Sequence, residues 1–168
     1  LTRRTSRNLT LPAGLTATAL MELRKNPAGF AERLARRMPR EPKRSARLGE
    51  RFHEWVMARF SVSPGFDELD FRVHAKEPGL ERLVLRGRID AVFPSDDPAF
   101  DALVIDWKIG DTDADPLQLA IYRQAWAEAR GLEPERVATA FYHVLAKRLE
   151  PVVAGPELIR AATATITP

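Results

Sequence analysis

In the run VIDWKIG, residues 104–110, an aspartate and a lysine stand two apart inside an otherwise apolar stretch of β type. Strand side chains alternate between faces, so Asp106 and Lys108 share one face while Ile105 and Trp107 share the other. Such a pair is either an ordinary ion contact or two parts of a hydrolytic site. A second acid, Asp90, interrupts the apolar run GRIDAVF. Neighbouring strands lie about 4.8 Å apart, so Asp90 and Asp106 can converge if the register allows it. Two carboxylates on a half-buried sheet repel each other and lose hydration unless something positive lies between them. Mg²⁺ or Mn²⁺ suits hard carboxylate oxygens, and an added imidazole such as His53 favours Mn²⁺. A cation held there lowers the pKa of a bound water and offsets charge on a phosphate. Lys108 is placed to orient the attacking water or to stabilise the charge that develops at phosphorus.

The elements that must hold these groups can be read from patterning. LTATALMELRKNPAGFAERLARRM, residues 15–38, reads as two helical pieces, with Asn26 as a cap and Pro27 as a first helical residue. A basic, proline-bearing linker, PREPKR, leads to a helix over 45–60. Its stripe of Leu48, Phe52, Trp55, Val56 and Phe60 is apolar, with His53 on the shoulder. SVSPGFDELD reads as an irregular loop. FRVHAK and RLVLRGRIDAVF alternate like a hairpin of strands, and ALVIDWK is the third strand. Asp115-Pro116 caps a helix over 116–130 that Gly131 closes. ATAFYHVL, 138–145, makes a fourth strand, and PELIRAATATI a terminal helix. Helix, three strands, helix, strand is an α/β layered arrangement around a mixed sheet, with extra helices in front. The first strands are expected to be antiparallel, and the helix-linked pair parallel through a right-handed crossover.

At 168 residues the chain suits one domain, 1–168, with leading helices over 15–60 and a chemical core over 45–145. It begins with Leu rather than Met and is read as a fragment of a longer chain. The absence of cysteine excludes disulfides, thiolate zinc sites and Cys-ligated iron–sulfur clusters, and it fits a cytoplasmic setting. No apolar run approaches the ~20 residues that span a membrane. Residues 1–60 hold 14 Lys+Arg against 5 Asp+Glu, and the remainder 12 against 18. A basic front can meet nucleic-acid phosphates and an acidic rear can hold divalent cations, although basic helices covering an acidic body would look the same.

GERFHEWV, GRIDAVF, VIDWKIG and QLAIYRQAW together resemble the RecB-like branch of the PD-(D/E)XK nuclease superfamily. The likeness runs from about Leu15 to about Leu145 and is nearest to nuclease modules at the C-termini of UvrD-like helicases of the AddAB/AdnAB kind. The resemblance implies a restriction-endonuclease-like mixed sheet with an αβββαβ core. It implies metal binding by His53, Asp90, Asp106 and the Trp107 carbonyl, catalysis by Asp90, Asp106 and Lys108, and support from Gln118 and Tyr122. It further implies Mg²⁺ or Mn²⁺, no iron–sulfur cluster, a DNA substrate that is single-stranded, and a helicase motor as partner. Ile109 stands where the family commonly has Thr, on the face away from Lys108.

Each residue alone has a plainer reading. Asp106 and Lys108 could be a surface pair, and Gln118 and Tyr122 a packed helical pair. Arg86 or Arg88, on the face of Asp90 by simple alternation, could be its partner. His74 and His143 fall outside the motif and are expected to be satisfied by backbone groups. The acidic run 111–115 lacks the glycine and distal glutamate of an EF-hand and reads as a loop before a helix cap. Arg37, Arg44 and Arg47, with Arg33, Arg36, Arg40 and Lys43, could guide a phosphate backbone or form a solvated helix face. The rival to a metal-dependent deoxyribonuclease is a DNA-binding or helicase-docking module that keeps the fold without cutting.

Overall fold

The computed structural model describes residues 12–36, 51–52, 54–55, 58, 67–76, 80–110 and 114–164. His53, Arg37, Arg44, Arg47 and most of the expected 45–60 helix lie outside the described residues.

Strand β1 (Gly14–Thr16) leads directly into helix α1 (Ala17–Lys25), whose first turn is capped by the Thr16 hydroxyl accepting from the Ala19 N–H. Asn26 then serves two helices. Its N–H closes α1 on the Glu22 carbonyl, and its side chain accepts from the Gly29 N–H to start α2 (Pro27–Arg36). The expected break at Asn26-Pro27 is thus present.

The hairpin of β2 (Asp67–His74) and β3 (Val84–Pro94) follows, then β4 (Ala102–Lys108) and helix α3 (Pro116–Arg130). A 3₁₀ turn (Pro134–Arg136), β5 (Val137–His143), β6 (Arg148–Pro151) and α4 (Pro156–Thr163) complete the described order. Asp67–Asp70 belongs to β2 rather than to a loop, because the acidic side chains of DELD hide an extended segment that pairs with β3. The two short strands β1 and β6 were too brief to leave a period in the sequence.

The six strands form one mixed sheet in the order β1-β3-β4-β5-β6, with β2 on the other edge of β3. The β2–β3 and β3–β4 pairs are antiparallel and β4–β5 is parallel, as the connecting helix α3 requires. One face is covered by α1 and α3, with α4 packed against those two helices, and the core runs through Leu20, Leu85, Ile89, Val92, Val104, Ile121 and Phe141. Helix α3 is apolar on most sides because it is held between the sheet and the other two helices. Asp115 caps it through the Leu117 N–H at 3.0 Å and receives Arg24 of α1 at 2.5 Å. Gly131, with φ of 65°, ends it in the left-handed conformation that favours glycine. Among the described residues no helix is long and apolar enough to cross a membrane.

Candidate active site

Asp90 owes its position to a bulge. Across the β2–β3 ladder Leu69 faces Ile89 and Asp67 faces Val92, so two steps on β2 are matched by three on β3. The extra residue falls at Asp90–Ala91 and reverses the alternation. The core side of β3 runs through Leu85 and Ile89 before the bulge and through Val92 after it. Arg86 and Arg88, exposed on the other side, therefore do not share Asp90's alternation. That corrects the expectation of an arginine partner on the same face; Arg88 lowers the pKa of Asp90 only as the smallest of its influences.

The edge of β3 opposite β2 has a second irregularity. Residues 84–86 pair with β1 and residues 91–94 pair with β4. Asp90 lies in the gap between those ladders, and its Oδ2 accepts from the Trp107 N–H at 3.3 Å. The regular β3–β4 pairing stops at Ala91↔Ile105, one position short of both acids.

Asp106 is 3% exposed and Lys108 9% exposed, side by side on the face beneath α3. Lys108 Nζ lies 2.7 Å from Asp106 Oδ2, donates to Gln118 Oε1 at 3.0 Å, and sits 5.0 Å from the centre of the Phe141 ring. Gln118 Nε2 in turn donates to Tyr122 Oη at 2.9 Å. Tyr122 packs edge-on against Phe71 of β2, with ring centroids 5.7 Å apart. Gly87 makes that approach possible, since a Cβ there would fall 2.9 Å from Phe71 Cζ.

Electrostatics set this cluster apart from the rest of the surface. Burial, and then the neighbouring Asp106 charge, push Asp90 up to about 7. Burial also raises Asp106, against the opposing pull of Lys108. Burial drives Tyr122 upward, so its hydroxyl stays neutral. Asp106 Oδ2 is buried and, although 2.7 Å from the ammonium, receives no well-directed hydrogen bond.

Five of the residues singled out from the sequence therefore converge: Asp90, Asp106, Lys108, Gln118 and Tyr122. The Trp107 backbone reaches Asp90 through its N–H, while its ring lies against Phe52 and Tyr142. His74 is satisfied by the Glu81 carbonyl, as expected. His143 instead pairs with a carboxylate, Glu150, at 2.8 Å, because the unforeseen strand β6 brings that acid alongside. Arg33 pairs with Glu22 and lies over the Phe30 ring. Phe71, Gly87 and Phe141 support the site without having drawn notice in the sequence; only the alternation of the strands around them marked them as inward-facing.

The model of the PD-(D/E)XK nuclease superfamily matches residues 16–167, and the chain belongs to that superfamily. Eight solved chains match it. One is the crystal structure of SSO0001, with a TM-score of 0.51 and 14% identity over 95% of this chain and 77% of that one, a likeness of fold. No curated relative matches. Members of the superfamily are generally metal-dependent nucleases, typically using divalent ions such as Mg²⁺.

The donor set fits a divalent cation. When both acids are ionised, one ammonium leaves the cluster with an excess negative charge, and the buried Asp106 oxygen lacks a directed partner. Asp90 and Asp106 would hold the ion. Among the described residues no group of three or more His, Cys, Asp or Glu side chains gathers as a complete metal cage.

Proposed function

We propose that this chain is a Mg²⁺- or Mn²⁺-dependent DNA nuclease domain that hydrolyses phosphodiester bonds at Asp90, Asp106 and Lys108. The observation that carries the reading is the buried Asp106 oxygen left without a directed hydrogen bond beside a second, half-buried acid and a lysine. When bound, the cation supplies an activated water and neutralises charge on the scissile phosphate. His53 and the Trp107 carbonyl complete the ligand set in this reading.

The side chains of the protein divide the remaining work. An ammonium has three donors, and Lys108 directs one of them at Gln118 while its charge lies 2.7 Å from Asp106. A remaining donor is available to a phosphate oxygen or to the attacking water, held steady because the Gln118 contact is fixed. Gln118 and Tyr122 keep the amine from swinging out to solvent. Asp90, raised to about 7 by burial and the neighbouring Asp106, would give up its proton on holding the cation.

The Gln-x-x-x-Tyr spacing, joined here to the lysine by a hydrogen bond, supports assignment to the RecB-like branch. On that reading the chain is one domain over 1–168. It is a module of a longer cytoplasmic helicase–nuclease that receives single-stranded DNA from its motor during repair, with the basic residues Arg37, Arg44 and Arg47 contributing affinity for the phosphate backbone. The test is release of nucleotides from labelled single-stranded DNA, duplex DNA and RNA with Mg²⁺ or Mn²⁺. Asp106→Ala should abolish activity and Lys108→Ala should lower the rate by about 10²–10³-fold. Wild-type rates in either variant would sink the assignment.

A further inference from the structure

Among the described residues four large apolar side chains are exposed, and three of them, Leu145, Leu149 and Val153, stand along one short stretch around β6. That strand pairs with β5 on one side and, among the described residues, with no strand on the other. A row of unpaired main-chain groups beside exposed apolar side chains is the kind of surface on which sheets associate.

The register of β6 decides which of its groups face outward. The Val152 N–H bonds to the Thr139 carbonyl, and inward and outward groups alternate along an antiparallel ladder. Arg148 and Glu150 therefore turn their main-chain groups to β5, while the N–H and C=O of Leu149 point away from the sheet. Pro151 has no N–H, and the Lys147 N–H is bonded to the Val144 carbonyl, so an added strand finds its main-chain donor at Leu149.

A second β6, antiparallel and centred on Leu149, meets that requirement, because the two Leu149 residues then exchange both bonds. The same register sets Arg148 opposite the partner's Glu150 and Glu150 opposite the partner's Arg148, so this segment is complementary to itself. Both side chains are reachable, at 57% and 41% exposed. Leu149 lies on the face of Tyr142 and Trp107, whose rings are 5.3 Å apart, and the pairing joins two such apolar rows at the axis. It also carries the hairpin tip that bears Leu145 towards the end of the partner's β6, where Val153 is exposed.

We propose that β6 is an edge-to-edge interface for a second copy of this chain, paired antiparallel about a two-fold axis at Leu149. The association uses none of the residues of the carboxylate site and stands apart from its reading as a nuclease.

Sedimentation equilibrium over a concentration series tests it. The wild-type chain should pass reversibly from monomer to dimer. Arg148→Glu and Glu150→Arg each set like charges across the axis twice, and each should weaken the association about tenfold or more. Mixed in equal amounts, those two proteins should associate as the wild type does, because every facing pair is then opposite in sign. Leu149→Lys, an exposed change that leaves the β5–β6 bonds in place, should abolish the dimer. A wild-type chain that stays monomeric throughout, variants that dimerise as tightly as the wild type, or a mixture no tighter than its components overturns the interface.

Discussion

Two carboxylate–cation pairs of almost equal length stand at opposite ends of β4. Just before the strand, Asp101 meets Arg136 at 2.6 Å, with side chains 40% and 44% exposed. Near its other end Asp106 meets Lys108 at 2.7 Å, with side chains 4% and 10% exposed. The hydrogen bond from Arg136 lowers the pKa of Asp101 below the ordinary carboxylate value. Asp106, at the same distance from a cation, is raised, because burial outweighs the attraction of Lys108. Distance alone does not make an ion pair stabilising; hydration decides the sign. The outer pair ties down a loop, helped by Arg136 donating to the Pro98 and Ala99 carbonyls. The inner pair keeps charge where the fold would be better off without it, and that is the mark of a site built for something other than stability.

The sharpest way to break this contrast is to make the inner pair apolar. Asp106→Leu with Lys108→Met should raise the stability of the metal-free protein by about 1–4 kcal/mol in urea denaturation, with activity lost. A double variant less stable than the wild type would mean that the pair holds the core together.

A second test uses pH. The folded pKa of Asp90, about 7, lies above its ordinary 3.8, so between those values the folded state holds a proton that the unfolded chain has released. Protons bound in excess by the native state make stability fall as pH rises. The metal-free protein should therefore lose Tm between pH 4 and 7 more steeply than Asp90→Asn does. Added Mg²⁺ or Mn²⁺ should restore more Tm at the upper end of that window, where the acid is already ionised. Parallel curves for the two proteins would remove Asp90 from the buried cluster.

The mildest expected change comes from the outer pair. Asp101→Asn should shift Tm by about 1 °C and leave nucleotide release untouched. A large loss of activity there would erase the distinction between the two ends of the strand.

Sequence patterning was enough for most of the architecture that bears the site. The bounds of β4 and α3 follow from ALVIDWK and from Asp115-Pro116 with Gly131, because caps and apolar alternation are local signals. The convergence of Asp90, Asp106, Lys108, Gln118 and Tyr122 was legible as an ordered set of residue types on the right elements. What escaped was non-local. Strands β1 and β6 are too short for a period, and their pairing is decided by neighbours far along the chain. The acids of DELD disguised the start of β2, whose backbone pairs regardless of what its side chains face. The support of Phe71 by Gly87 depends on a cross-strand register that no single segment encodes.

The extra residue in β3 has a consequence for comparing relatives of this chain. Removing the Ala91 codon would keep Asp90, Asp106 and Lys108 and yet return Asp90 to the side of Arg86 and Arg88, away from Lys108. A gene could thus be silenced by arithmetic, with its signature intact. Spacing around the first acid is therefore a better guide to which homologues still cut than the presence of the acid itself.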